Sequence, residues 1–446
     1  MRKILVAFVA ILGTSMPAVP AAQAMPRDES IGMERACADP GPGRVRCHLL
    51  RDPEENRVHP MAATDVPKGL SPADLRGAYN ITGNSTATVA IVAPFAYPSA
   101  ESDLATYRKM YGLPECTSAS GCFRKVNQSG NAAPLPRYDN GWAQEQSLDV
   151  QMVSAICATC KILLVEANTD GVDDVFASIA TAARMGAKAV SNSFGALEDE
   201  GLSRYDAQLD IPGVAIVAST GDWGYEVNYP ASSPHVISVG ATTLSKSDGG
   251  RGWTESTWNR TGGGCSRVFD KPAWQTDKGC AGRTVADVSA VGDPRTGVAV
   301  YGPDDSGGNS WGTAGGTSAS APIIAAAIAV AGGSIDNASS LYAHATQFFD
   351  VTSGSNGNCA DRYLCNAGPG YDGPTGLGTP NGTTAFGGGA AQPTTVKPAP
   401  TQTPPPVETT TPAPPGAAQL TPPTAQPVPE TTAEPGSVED PFGSLS

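Results

Sequence analysis

From about Ser71 to Ala390 the chain alternates two hydrophobic rhythms. Short apolar runs at Ala87–Val92, Lys161–Val165, Lys188–Val190, Val214–Ala218 and Val236–Val239 predict β-strands buried on both faces. Between several of them, Ala100–Tyr111, Gln144–Ile156, Asp173–Arg184 and Gly201–Asp210 carry helical spacing. Strands alternating with helices predict an α/β fold with a mainly parallel sheet covered on both sides. A further helix, entered through Gly315-Gly316-Thr317-Ser318-Ala319-Ser320-Ala321-Pro322, is apolar all round from Ile323 to Val330. Such a helix is buried, so its N-terminus is fixed by the core, and Pro322 suits a first helical turn.

The pattern fails at both ends. Arg2 and Lys3 precede the apolar run from Ile4 to Gly13, and Ala22-Gln23-Ala24 ends in small residues. Residues 1–24 therefore read as a secretory signal peptide, and the run is too short to span a bilayer comfortably. Residues 25–70 are polar and weakly patterned, as in a short pro-segment or N-terminal extension. Residues 391–446 are rich in Pro and Thr with few large apolar side chains, so a disordered tail is expected.

Charge and cysteines sharpen this picture. The net charge of −14 argues against nucleic acid as a partner, since phosphate binding needs a basic surface. No later segment has the length of a membrane helix, so a secreted, extracellular, monomeric protein is expected. The ten cysteines fall into five near neighbours: Cys37 and Cys47, Cys116 and Cys122, Cys157 and Cys160, Cys265 and Cys280, Cys359 and Cys365. In an exported chain this clustering favours local disulfides. Cys157-Ala-Thr-Cys160 also fits a redox pair, with a structural disulfide the simpler reading.

Candidate chemistry centres on Ser318. At the N-terminus of a buried helix its backbone N–H would be free and the dipole would favour developing negative charge, which suits a nucleophile in acyl transfer. A helix cap is the plainer alternative. A serine nucleophile needs a base. The four histidines, His48, His59, His235 and His344, read as ordinary surface or loop residues, and the first two precede the globular region. Two acids are better placed. Glu145 and Asp149, four residues apart, share one helix face, with no Lys or Arg from Gly141 to Cys160. Alone, such a pair reads as a solvated acidic face. Held together and desolvated, they could not both ionise easily.

The stretches Gly315–Pro322 and Gly141–Asp149 together resemble the sedolisin, or serine-carboxyl peptidase, family of the subtilisin-like clan. The resemblance covers about Ser71 to Ala385 and implies a subtilisin-like three-layer sandwich. It implies a serine endopeptidase acting in acid on protein or peptide substrates. Ser318 would be the nucleophile, Glu145 the general base and Asp149 its support. In Ser219-Thr220-Gly221-Asp222-Trp223-Gly224, Asp222 would be a protonated oxyanion donor. Ser191-Asn192-Ser193-Phe194-Gly195 resembles the strand that pairs with substrate backbone, which assigns Ser193 and Gly195 to substrate binding. Asp350-Val351-Thr352-Ser353-Gly354 and Gly368-Pro369-Gly370-Tyr371-Asp372 resemble the family's calcium site. That implies one structural Ca²⁺ on the carboxylates of Asp350 and Asp372 and the carbonyls of Val351, Gly368 and Gly370. Two departures stand out: no large prodomain precedes the catalytic region, and Ala93 occupies a strand position where many relatives carry an acid. A catalytically silent binding protein of the same fold is the alternative.

Overall fold

The computed structural model describes residues 33–51, 67–333 and 335–387. The expected signal peptide and Pro/Thr-rich tail lie outside them. The first stretch contributes β1 (Glu34–Arg35), β2 (Arg46–Cys47) and β3 (Leu50–Arg51). Helix α1 (Pro72–Ala78) leads into β4 (Thr88–Pro94), α2 (Ala100–Met110), β5 (Phe123–Asn127), α3 (Asn140–Ile156), β6 (Lys161–Ala167), α4 (Val172–Arg184), β7 (Ala189–Asn192) and β8 (Phe194–Leu197). Strands β9 (Ala215–Ser219), β10 (Asn228–Tyr229), β11 (Ile237–Lys246), β12 (Trp253–Thr257), β13 (Gly264–Asp270), β14 (Gly282–Val285) and β15 (Val288–Val291) follow. A final hairpin, β16 (Val298–Pro303) and β17 (Asn309–Gly315), feeds α5 (Thr317–Ala331).

The main sheet runs β12-β11-β9-β7-β4-β6-β5, with β15 also paired to β11. Its pairs are parallel except for β11 with β12. Strands β4, β6, β7 and β9 are buried almost throughout, as expected when helices cover both faces. Helices α3 and α5 pack on each other and on one face; α4 packs against β4, β6 and β7 from the other. The α/β sandwich expected from the sequence is therefore present, and the five main-sheet strands read from apolar runs fall within two residues of their expected bounds, except that β11 runs on to Lys246, seven residues past Val239.

Three readings change. The helix expected at Gly201–Asp210 is a 3₁₀ stretch, Glu200–Gln208, in which only Tyr205 is buried. With no apolar stripe to seat against the core, the tertiary contacts that favour an α-helix are missing. Pro322 lies in the second turn of α5, not the first. Finally, residues 33–51 are not a detached polar extension. Val45, Cys47, Leu49 and Leu50 are buried, β2 pairs antiparallel with β8, and β3 pairs antiparallel with β17. The alternation in this short stretch is completed only by strands far away in sequence.

All ten cysteines pair as their clustering suggested, in five disulfides, and Cys157–Cys160 is one of them. Among the described residues, no helix is long and apolar enough to cross a membrane.

Candidate active site

Ser318 is the second residue of α5, whose residues from Thr317 to Ala329 are all buried. The chain enters this helix through Gly316 at φ +90°. A methyl group there would meet the His48 carbonyl oxygen at 1.9 Å and Asp222 Oδ2 at 2.6 Å, so a side chain is excluded by both conformation and space. Pro322 has no N–H for the carbonyl four residues back. That carbonyl belongs to Ser318, and the Ser193 hydroxyl lies 3.4 Å from it.

Helix α3 brings the acid pair to this point. Asp139 caps the helix by accepting from Trp142 N at 3.2 Å, and residues 142–156 are buried. Glu145 and Asp149 are both 0% exposed, so the solvated acidic face is ruled out. Burial, reinforced by Asp149, drives Glu145 well above the usual carboxylate range. The Ser318 hydroxyl lies near enough to pull in the opposite direction, yet neither Glu145 oxygen completes a hydrogen bond among the described residues. Ser318 Oγ instead makes a long contact, 3.4 Å, to the Ser193 carbonyl. Burial pushes Asp149 up to about 8, although the Ser193 hydroxyl donates to its Oδ1 at 2.6 Å.

Asp222 follows Gly221, whose φ of +107° turns the chain after β9. Its Oδ1 accepts from Thr317 N at 2.8 Å and Thr317 Oγ1 at 2.9 Å. Among the described residues Oδ2 has no hydrogen-bond partner, and it points to the space above Gly316. Burial pushes Asp222 up to about 7 against these bonds and the nearby Arg260 and Arg35. Thr317 was not singled out from sequence. Its hydroxyl also accepts from Gly221 N at 3.0 Å, tying the Asp222 turn to the Ser318 helix.

The structure thus brings Glu145, Asp149, Asp222, Ser318, Ser193 and Gly195 to one cleft, and it adds an unexpected occupant. The backbone N–H of Ser318 is not free: it donates to the His48 carbonyl at 3.2 Å. His48 N in turn donates to the Ser193 carbonyl at 3.3 Å. His48 is therefore a buried cleft residue, 0% exposed, rather than the loop histidine read from sequence. Cys37 and Cys47, which close a ring immediately before His48, were the available signal that this stretch is ordered.

Asp350 and Asp372 also converge, on the 368–370 turn. Gly370 N donates to Asp350 Oδ2 at 2.9 Å and Gly368 N to Asp372 Oδ2 at 3.0 Å. Burial, with Asp350 adding repulsion, pushes Asp372 up to about 7 even though Thr375 N and Oγ1 bond its Oδ1. No cluster of three His, Cys, Asp or Glu occurs among the described residues. Among the described residues the partners of the two carboxylates are backbone N–H groups and the Thr375 hydroxyl, and the mutual repulsion of the acids is what a hard cation such as Ca²⁺ would relieve.

Residues 131–347 match the model of the subtilase family, a span that includes Glu145, Asp149, Asp222 and Ser318. The chain is 30% identical to kumamolisin from Bacillus sp. (strain MN-32), covering 75% of this chain and 66% of that protein. It is 28% identical to sedolisin from Pseudomonas sp. (strain 101), covering 75% of this chain and 64% of that protein. It spans just under two thirds of the length of both. Among solved structures, Pseudomonas sedolisin, a serine-carboxyl proteinase complexed with two molecules of pseudo-iodotyrostatin, superposes with a TM-score of 0.62 at 25% identity. That match covers 72% of this chain and 98% of the other. Residues 131–347 are thus a subtilase-family domain, and with this fold and the Glu-Asp pair beside Ser318 the chain is similar to the serine-carboxyl peptidases sedolisin and kumamolisin.

Proposed function

We propose that this chain is an exported serine-type endopeptidase that hydrolyses protein or peptide substrates in acid. The observation that carries the reading is the convergence of Ser318, the Glu145–Asp149 pair and Asp222 on one buried cleft. Ser318 Oγ attacks the scissile carbonyl and Glu145 takes its proton. Asp149, held by Ser193, supports Glu145 by sharing the pair's single negative charge. The Ser318 N–H and a neutral Asp222 donate to the oxyanion. Glu145 then returns its proton to the leaving amine, and water hydrolyses the acyl-enzyme.

The protonation states set the pH range. Asp222, pushed up to about 7, donates only in its acid form, so activity falls as pH rises through that value. The base is lost at lower pH, when the Glu145–Asp149 pair binds its second proton. Full burial raises that pair, and water entering an open cleft lowers it again. Export is supported by the signal-peptide pattern and five disulfides. At the second site, Asp350, Asp372 and the carbonyls of Val351, Gly368 and Gly370 would hold Ca²⁺. Bound there, the ion would supply positive charge that neutralises the two carboxylates.

The test is to incubate wild type and Ser318→Ala with a denatured protein at pH 3–5 and identify the cuts. Cleavage by wild type alone is expected. Equal inactivity of both would favour a catalytically silent binding protein, and cleavage best near pH 8 that ignores Glu145→Gln would overturn the mechanism.

A further inference from the structure

Residues 44–51 lie in the cleft as a substrate would. Arg46 and Cys47 pair antiparallel with Gly195 and Phe194, which adds a strand to the exposed edge of β8. At the next residue, His48 N bonds the Ser193 carbonyl, and the His48 carbonyl takes the Ser318 N–H. That carbonyl also shares the space above Gly316 with Asp222 Oδ2. It therefore lies between the two groups assigned to the oxyanion. Beyond it, Leu50 and Arg51 pair with Gly315 and Ala314 on β17, and Arg51 bonds Asp305 at 2.9 Å. Both sides of the His48–Leu49 bond are held in extended form across the nucleophile.

Strand alternation sends Arg46 and His48 the same way, while Cys47 is bonded to Cys37. Each of the two side chains enters a pocket that fits it. The His48 ring is enclosed: Nδ1 lies 2.7 Å from Ser219 Oγ, and Trp223 meets the ring edge-on at 5.6 Å. A methyl on Gly195 would come within 3.0 Å of His48 Cε1, so the glycine makes room for the imidazole. Burial, with Arg46 and Arg35 nearby, lowers the His48 ring well below the ordinary imidazole range. The Arg46 guanidinium bonds Glu226 and, at 2.8 Å, Asn228 Oδ1, and stacks 3.4 Å above the Trp223 ring.

We infer that the groove recognises an Arg-x-His sequence and cuts after the histidine, and that its first substrate is its own His48–Leu49 bond. The inference rests on the peptidase reading above and names its substrate class. In the self-cleavage, Ser318 Oγ bonds to the His48 carbonyl carbon and its proton passes to Glu145. The C–N bond to Leu49 breaks and the Leu49 nitrogen takes that proton. Water then hydrolyses the ester, leaving a carboxylate on His48 and regenerating Ser318. After the cut, β3 keeps Leu49–Arg51 on the body. The piece that ends at His48, ringed by Cys37–Cys47, stays only through non-covalent contacts.

Purified full-length wild type and Ser318→Ala are compared by intact mass and N-terminal sequencing. Wild type is expected to yield a new terminus at Leu49 and Ser318→Ala to remain uncut there. Processed wild type is then given the hexapeptide Arg-Ser-His-Leu-Leu-Arg. Replacing its His or its first Arg by Ala should lower kcat/KM at least tenfold, and Ser219→Val should erase the preference for His. General proteolysis with no such preference and no Leu49 terminus overturns the inference and leaves the peptidase reading standing. If wild type cuts nothing, the peptidase reading fails, and the recognition is still decided in the Ser318→Ala chain. There, His48→Ala and Arg46→Ala should each release the segment, seen as faster amide exchange across residues 193–197. Unchanged exchange overturns the inference.

Discussion

Thr317 holds Asp222 by two bonds to one oxygen, from its N–H at 2.8 Å and its hydroxyl at 2.9 Å. The other oxygen is left facing the cleft. Asp222→Asn keeps the shape and supplies an N–H donor that does not titrate. It should keep measurable activity and lose the fall in rate as pH rises through about 7. Asp222→Ala should lower kcat about 10²- to 10³-fold, as removal of an oxyanion donor does elsewhere. A pH–rate profile of Asp222→Asn identical to wild type would remove Asp222 from the oxyanion role.

Among the described residues, Ser193 supplies the only hydrogen bond to the Asp149 carboxylate, which stabilises its charged form. Ser193→Ala should therefore raise the pair further and move the acid limb of the profile to higher pH. A charge-assisted bond contributes about 1.5–3 kcal/mol, so roughly a tenfold to hundredfold loss is expected at the acid end. A uniform loss at all pH values would mean that only packing was disturbed.

Stability should run opposite to ordinary acid denaturation between pH 4 and 8. Folded Asp222 titrates near about 7 and folded Asp149 near about 8, both above an unfolded aspartate. The folded state thus binds more protons. This contribution is fully present below the unfolded pKa and is lost as pH rises through the folded values. For Asp222 alone it is roughly 4 kcal/mol. Thermal melts should give a higher Tm at pH 4 than at pH 8, by roughly 5–10 °C, with a smaller difference in Asp222→Asn. A Tm that rises from pH 4 to pH 8 would contradict the buried acid cluster.

Gly316→Ala should be among the costliest single-methyl changes in the chain. It combines φ +90° with contacts of 1.9 and 2.6 Å to His48 O and Asp222 Oδ2. The backbone conformation alone costs about 1–3 kcal/mol. Loss of activity with a lowered Tm is expected, and a fully active, equally stable variant would show that the entry to α5 is not so tight.

If Ca²⁺ joins Asp350 to Asp372, removing it leaves two repelling carboxylates on one turn. Adding EGTA should lower Tm by several degrees, and added Ca²⁺ should restore it. Asp372→Asn should abolish the response; its persistence there would locate any calcium elsewhere.

Much of the fold was legible because strands buried on both faces leave unbroken apolar runs, as at Ile162–Val165. Glu145 and Asp149 were legible as a pair because a spacing of four is local to one helix. Their complete burial was not, since their surroundings come from α5, the 193–195 segment and His48, all distant in sequence. The 201–210 stretch misled because helical spacing there lacks a core to face. His48 was hidden for a related reason. Its segment is too short to announce a strand, and its partners, Ser193 and Ser318, lie more than a hundred residues away.

The missing N–H of Pro322 has a last consequence. It leaves the Ser318 carbonyl available to the same hydroxyl that serves Asp149. That hydroxyl has one hydrogen and two acceptors. While Asp149 is charged, the hydrogen points to the acid. Once Asp149 is protonated it can donate to Ser193 Oγ, and the hydrogen swings towards the helix of the nucleophile. Ser193 is then a rotor that reports the charge of one helix to the first turn of another. Neutron crystallography at two pH values would locate that hydrogen, and the same orientation in both would rule the rotor out.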